Sequence, residues 1–300
     1  MAQRIEPRIL KGFRDFLPTE ESRRSELIDR LVRVFGRHGF VPIATPVLEY
    51  TEVLLGKGGG ETDKQIYRFT DNGGRDVSMR FDLTVPFARY MAQHKSELYL
   101  PFKRYHVAKV FRGENTQRGR YREFTQCDFD IVGTDTASAD FEILLLIVRS
   151  MEALGLSAFT VHLSHRGIFN RFLAHLGAAD HSVEILRTVD KMRKIGPEKT
   201  REELAALVGT ESAEKILAYI QAQGTAAETL SAMRDLAGGP AEDTERVERI
   251  LAWAEETGIA DRVALDPSTT RGLDYYTGCV YETFLDELEG IGSVCSGGRY

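Results

Sequence analysis

Phe111–Asp130, FRGENTQRGRYREFTQCDFD, decides how this chain is read. It has the form strand, loop, strand. From Arg122 onward the even positions are Arg122, Phe124, Gln126, Asp128 and Asp130, and the odd ones are Glu123, Thr125, Cys127, Phe129 and Ile131. Side chains alternate across a strand, so Arg, Phe, Gln and Asp share one face. That face is wrong for a core and poor for plain solvent exposure. It suits the floor of a site whose ligand carries a phosphate, an aromatic ring and an amine.

The charge distribution points the same way. The net charge over 300 residues is −6, which argues against a protein that coats nucleic acid through a basic surface. Residues 103–122 nevertheless hold seven Lys or Arg (Lys103, Arg104, Lys109, Arg112, Arg118, Arg120, Arg122) against one acid, Glu114. A local basic site on an acidic chain fits a polyphosphate, and the planar guanidinium pairs bidentately with phosphate or carboxylate oxygens. At 42% hydrophobic residues the chain can bury a sizeable core in one large domain or two. Cys127, Cys279 and Cys295 lie far apart without a CxxC, which indicates neither a disulfide framework nor a zinc site and suggests a reducing compartment. The N-terminus MAQRIEPRIL has no apolar signal core, and no run approaches the ~18 apolar residues of a membrane span. A cytoplasmic protein without membrane association is expected.

The local patterns outline an α+β fold. Thr19 followed by Glu20 and Glu21 starts a helix whose apolar positions are Leu27, Ile28, Leu31, Val32 and Phe35, with Gly39 at its stop. FVPIATPVLE follows as an extended segment, bent or at an edge because of Pro42 and Pro46. IYRFTDNGGRDVSMRFDLT is a hairpin turning at Asn72-Gly73-Gly74. Ala137–Leu154 is an apolar helix ending at Gly155, and Phe159–Leu163 a further strand. Residues 166–260 then change texture: helical periodicity runs through 182–194, 200–222 and 243–257, broken by Gly-Gly-Pro at 238–240. Strand character returns at Arg262–Leu265 and Tyr275–Phe284. This order divides the chain into a core, 1–165, an all-helical insertion, 166–260, and a second part of the core, 261–300.

Two other segments share the polar character of the opening stretch. In RFDLT, Arg80, Asp82 and Thr84 fall on one face of the returning strand, and a carboxylate beside a hydroxyl is a natural cradle for an ammonium group. RGLDYYTG, from Arg271, and GSVCSGGRY, from Gly292, combine tyrosines and an isolated arginine with glycines that permit close backbone approach. GGRY lacks the GxxxxGK[ST] of a phosphate loop, and no GxGxxG follows a strand. The histidines form no HExxH or other metal-ligand spacing, so no protein-bound metal is expected, and His162 and His165 read as structural. No GxSxG element occurs.

Taken together, these segments resemble the histidyl-tRNA synthetase family of class II aminoacyl-tRNA synthetases. KGFRDFLP at 11–18 resembles that family's N-terminal signature, RHGFVPIATPVLE at 37–49 its motif 1, and 111–133 its motif 2. RGLDYYTG and SGGRY resemble the two segments peculiar to the histidine enzyme. The resemblance implies an antiparallel sheet flanked by helices, a homodimer formed through motif 1, and a helical insertion that helps hold tRNA. It implies the substrates L-histidine, ATP and the histidine tRNA, with Mg²⁺ bridging the phosphates.

The resemblance also implies roles for individual residues. Arg112 binds the α-phosphate, Glu114 lies near the adenine end, Arg120 meets the outer phosphates and Phe124 stacks on adenine. Asp82, Thr84 and Gln126 hold the histidine ammonium. Asp130 and Tyr276 bond the two imidazole nitrogens, and Tyr275 and Tyr300 close the pocket. Arg271 sits between the histidine carboxylate and the α-phosphate. The family continues past GGRY into motif 3 and an anticodon-binding domain, so the chain resembles a catalytic-domain portion that alone would charge tRNA poorly. Asp82 stands where many bacterial relatives carry glutamate, a methylene longer with the same charge. A rival reading is a synthetase-like regulatory paralogue of histidine biosynthesis without ligase activity; such paralogues tend to lose parts of motif 2, whereas Arg112, Arg120, Phe124 and Arg271 are all retained here.

Overall fold

The computed structural model describes residues 5–56, 65–116, 119–269 and 276–300. It divides into two compact units, Met1–Thr134 and Asp135–Tyr300. Secondary structure is mixed α+β with mostly antiparallel pairing, as the local patterns indicate.

The first unit is organised by the stretch that opens the sequence analysis. Strands β5 (Phe102–Phe111) and β6 (Glu123–Val132) pair antiparallel along their whole length, with Arg104 opposite Asp130, His106 opposite Asp128, Ala108 opposite Gln126 and Val110 opposite Phe124. The alternation expected for residues 122–130 is thus extended to both strands of the ladder. The odd face is aromatic. Helix α1 (Pro18–Arg37) lies on it, with Phe35 at 5.5 Å from Tyr105 and 5.2 Å from Phe129 between ring centroids. Phe40, just past the helix, meets Phe129 edge to face at 6.1 Å. Glu20 and Glu21 sit in the first turn of α1, where they complement the helix dipole.

The even face is polar and is closed by helix α3 (Thr84–His94), whose Phe87 contacts Phe102 at 6.4 Å and Arg104 at 4.0 Å. Strand β1 (Val41–Pro42) adds to the other edge of β5 in parallel. A second sheet is built from β2 (Leu48–Tyr50), β4 (Asp76–Met79) and β3 (Arg68–Thr70), in that spatial order. The β3–β4 hairpin turns where Asn72-Gly73-Gly74 indicates, and Asp71 Oδ1 accepts hydrogen bonds from the Gly73 and Arg75 amides, both at 2.9 Å. A short helix, α2 (Thr51–Leu55), follows β2.

One local expectation is corrected here. Arg80, Asp82 and Thr84 do not share a strand face, because β4 stops at Met79 and Thr84 opens α3. Asp82 Oδ1 accepts from the Val85 amide at 3.2 Å, Pro86 sits in the first turn, and Phe87 must turn inward. These features favour a helix start over continued strand. Arg80 has instead become an internal staple: it donates to the carbonyls of Thr45 (2.7 Å), Lys109 (2.9 Å) and Pro46 (3.3 Å), joining the two sheets.

In the second unit, helix α4 (Ala137–Ala153) leads to a four-stranded sheet ordered β10 (Cys295–Gly298), β9 (Cys279–Leu285), β7 (Phe159–His165), β8 (Val263–Leu265). Strands β7 and β9 are antiparallel, and β7 and β8 parallel. Six helices intervene between β7 and β8: α5 (Arg166–His175), α6 (Ser182–Ile195), α7 (Pro197–Val208), α8 (Thr210–Ile220), α9 (Ala226–Leu236) and α10 (Glu242–Glu256). The periodic run 200–222 is two helices, since Gly209 between them takes a φ of 82° that an L residue resists. Among the described residues no helix is long and apolar enough to cross a membrane, and all three cysteines are free thiols.

Because Phe35 joins α1 to both strands of the ladder and is almost fully buried, Phe35→Ala is expected to destabilise the fold by about 3–5 kcal/mol in denaturant unfolding.

Candidate active site

The even face of the β5–β6 ladder carries Phe124, Gln126, Asp128 and Asp130, with Asp82 and Arg112 beside it. Asp82, at the start of α3, is 9% exposed and faces Arg104, Arg112 and Asp130. Burial raises its carboxyl to about 6, against the pull of the Val85 amide and the two guanidiniums. Asp128 is pushed further, to about 7, by burial; Arg104 pulls it back, and Asp130 and Asp82 push it up again. Asp130 is ion-paired with Arg104. Among the described residues, three carboxylates and the guanidiniums of Arg104 and Arg112 therefore share one cluster.

Gln126 completes this part of the face. Its Nε2 donates to Asp128 Oδ1 at 3.4 Å, while its Oε1 is buried with no hydrogen-bond partner among the described residues. A buried acceptor without a donor costs on the order of 1–3 kcal/mol, and a ligand N–H would remove that cost. His106, opposite Asp128, is held near 4 by burial together with Arg80 and Arg104, so it adds no positive charge at neutral pH.

The phosphate side lies further along the same strands. Arg112 follows β5 directly; its Nε donates to the Phe81 carbonyl at 2.9 Å and its guanidinium stands 5.1 Å from the centre of the Phe124 ring. With one N–H anchored to backbone, the rest of the fork is held in a fixed direction. Arg120 and Glu114 approach to 3.9 Å, and the Arg120 side chain is 53% exposed. So wide a separation at an exposed pair leaves Arg120 little held by Glu114.

The segment carrying KGFRDF packs under this loop. The Arg122 amide donates to the Gly12 carbonyl at 2.8 Å, and Arg122 Nε to the Glu114 carbonyl at 3.1 Å. Arg14 lies over Tyr121 at 3.7 Å and Phe16 at 4.5 Å. An open cleft of about 320 Å³ results, lined by Gly12, Phe13, Thr116, Arg120 and Tyr121. Gly12 has φ 89°, and a Cβ there would stand 2.7 Å from Arg122 Cγ, so only glycine fits.

Of the other residues singled out, Thr84 is the first residue of α3. Tyr276 and Tyr300 belong to the second unit, where Tyr276 is buried and Tyr300 half exposed. Gly298 packs against Tyr276 so closely that a Cβ would lie 2.8 Å from its ring. Arg271 and Tyr275 fall outside the described residues. His162 and His165 belong to the scaffold: His162 Nδ1 lies 2.7 Å from Asp266 Oδ2, and His165 Nδ1 accepts from the Gly167 amide at 3.1 Å at the start of α5. The sequence places Arg104 only in a basic stretch and leaves His106 out; the signal that pairs them with Asp130 and Asp128 is the ladder register.

The family profile described as histidyl-tRNA synthetase matches residues 12–300. A histidine–tRNA ligase of Treponema denticola is 59% identical over the whole of this chain, which spans 68% of that protein. Among solved structures, a histidyl-tRNA synthetase from Nostoc sp. PCC 7120 superposes with a TM-score of 0.88 at 32% identity, over 99% of this chain and 69% of that one. A Bacillus halodurans structure described as an ATP phosphoribosyltransferase regulatory subunit/histidyl-tRNA synthetase gives 0.85 at 25% identity, over 99% and 77%. With a polar ladder face of this composition and a profile match over nearly all its residues, the chain belongs to the histidyl-tRNA synthetase family of class II aminoacyl-tRNA synthetases.

Proposed function

We propose that the even face of the β5–β6 ladder activates histidine with ATP and so serves a histidine–tRNA ligase. The observation that carries the reading is the Gln126 Oε1, buried without a donor among the described residues, beside the carboxyls of Asp82 and Asp128, both raised above the usual carboxylate range by burial. An α-ammonium group brings both a positive charge and N–H donors to this place. In this reading it is held by Asp82, Thr84 and Gln126, while Asp130 and Tyr276 bond the imidazole and Tyr275 and Tyr300 close around it.

ATP extends from the same face toward the loop. Adenine stacks on Phe124 with Glu114 near its edge, Arg112 meets the α-phosphate and Arg120 the outer phosphates. A histidine carboxylate oxygen then attacks the α-phosphorus in line, forming the P–O bond of histidyl-adenylate as the bond to pyrophosphate breaks. Arg112 and Arg271 offset the charge that builds at the equatorial oxygens, so catalysis is positioning plus electrostatic stabilisation. In the second step the terminal ribose hydroxyl of the histidine tRNA displaces AMP from the adenylate. Mg²⁺ would enter with the ATP phosphates and offset part of their charge, while Arg112, Arg120 and Arg271 would act on the substrates by guanidinium contact. The helical stretch 166–260 is assigned as an insertion domain against tRNA, between core segments 1–165 and 261–300. Motif 1 supplies a homodimer contact, and the setting is cytoplasmic. The Bacillus halodurans likeness supports the regulatory paralogue as second reading, and histidine-dependent adenylation separates the two.

Histidine-dependent ATP–pyrophosphate exchange is expected from this site, and Arg112→Ala and Arg271→Ala should each lower it about 100- to 1000-fold. Exchange that ignores histidine, or that survives both substitutions, would overturn the assignment. Histidine binding should also depend on pH. In the free site Asp82 and Asp128 are protonated below about 6 and about 7. The ammonium requires their ionised forms, so affinity rises as pH climbs through this window and binding releases protons. Calorimetry in buffers of differing ionisation enthalpy should detect that release beyond the titration of free histidine, and Asp82→Asn should reduce it.

A further inference from the structure

Arg104 has no role in the chemistry just described, yet it is the most deeply buried charged side chain on that face. Its relative exposure is 0%. The guanidinium lies 4.0 Å from the centre of the Phe87 ring, reaches the Asp128 carbonyl through Nη1 at 3.5 Å, and is ion-paired through Nη2 with Asp130, the residue directly opposite in the ladder, while Nε and Nη2 make no hydrogen bond among the described residues. Stability alone is a weak reason for such a group. Well-packed apolar residues in place of a buried ion pair often leave a protein as stable or more so. What an apolar residue cannot do is hold a carboxylate in one direction.

We propose that Arg104 is a positioning residue that grips Asp130 and so sets the enzyme's selectivity for the imidazole of histidine. The inference rests on the functional reading above, in which Asp130 is the acceptor for an imidazole nitrogen. Asp130 shares its cluster with Asp82 and Asp128, and two like charges close by would turn an unheld carboxylate away. Arg104 opposes that repulsion from the facing strand. Phe87 fixes the plane of the guanidinium from α3, and the ladder register fixes its distance. Lysine is a poor substitute, because an ammonium is a point charge that cannot lie flat over Phe87 while placing positive charge beside both the Asp130 carboxylate and the Asp128 carbonyl. His106, the next residue on this face, is neutral, so Arg104 is the cation that β5 sets on this face among the described residues.

The test is calorimetry with L-histidine, with ATP, and in competition with β-(2-thienyl)alanine, whose five-membered ring has no N–H. Arg104→Met, Arg104→Lys, Asp130→Asn and the double variant Arg104→Met/Asp130→Asn are compared with the unaltered chain. Arg104→Met should weaken histidine about 100-fold, the scale of a misplaced contact group. Preference for histidine over the thienyl analogue should shrink by a similar factor, with ATP binding kept. In the Asp130→Asn background the same substitution should add little, since coupled residues are not additive. Arg104→Lys should fall between. Histidine binding unchanged in Arg104→Met, equal loss for all three ligands, or losses that add with Asp130→Asn would overturn the proposal. Should Arg104→Met fail to fold, a folded Arg104→Lys with full discrimination overturns it and one with reduced discrimination supports it. An unaltered chain that binds ATP but no histidine refutes the functional reading itself, and the inference with it.

Discussion

The antiparallel ladder between Phe102–Phe111 and Glu123–Val132 constrains the rest of the first unit through its register. Side chains alternate with a period of two, so a slip of β6 by one residue would turn its side chains to the opposite faces. Phe129 would leave Phe35 on α1, and Asp128 and Asp130 would turn toward that helix. No arrangement between the two exists. Each face then selects its cover. The aromatic face takes the apolar stripe of α1. The polar face takes the start of α3, where Asp82 contributes a further carboxylate and Phe87 a flat surface for Arg104. The Arg80 staple to Thr45, Pro46 and Lys109 keeps the neighbouring sheet in step with this ladder.

Burying that much charge works against folding, and the direction of the shifts shows where the strain lies. Asp82 and Asp128 are both raised, with burial as the first cause, despite two guanidiniums that lower them. In the proposed reading a cationic ligand is favoured here, because an ammonium ion would offset the desolvation that burial imposes on Asp82 and Asp128.

How far the sequence foretells this arrangement depends on the range of the signal. The alternation in Arg122–Asp130, the Asn72-Gly73-Gly74 turn, α1 and α4 are local patterns, and each appears in the fold where its residues indicate. RFDLT misleads because a five-residue alternation satisfies a strand and a helix start equally. Asp82 bonding the Val85 amide, with Pro86 in the first turn, settles it as a helix start. The 200–222 periodicity hides a break, because a glycine between two helices of similar amphipathicity leaves the pattern of apolar positions nearly intact. The sequence places Arg104 in a basic stretch but not beside Asp130, because cross-strand partners depend on a register that neither strand carries alone. Gly298 is similar, since the need for glycine arises from the Tyr276 ring beside it in space.

The second unit solves its own positioning problem with the same chemistry. Arg299, next to Tyr300, donates through Nε to Asp140 and through Nη1 to Asp135, both at 2.9 Å. Arg246 on α10 bridges the same two carboxylates at 2.9 and 3.0 Å. Tyr281 donates to the Asp140 carbonyl at 2.9 Å from the neighbouring strand β9. The end of β10, the start of α4 and a helix from the 166–260 stretch are thereby fastened at one point. Two guanidinium forks spanning two carboxylates fix direction as well as distance. An ammonium at either arginine position would be a point charge and would leave the other carboxylate with a single partner. Asp140 is buried, so the loss of one bridge would expose the segment ending in Tyr300 to the full cost of an under-paired internal charge.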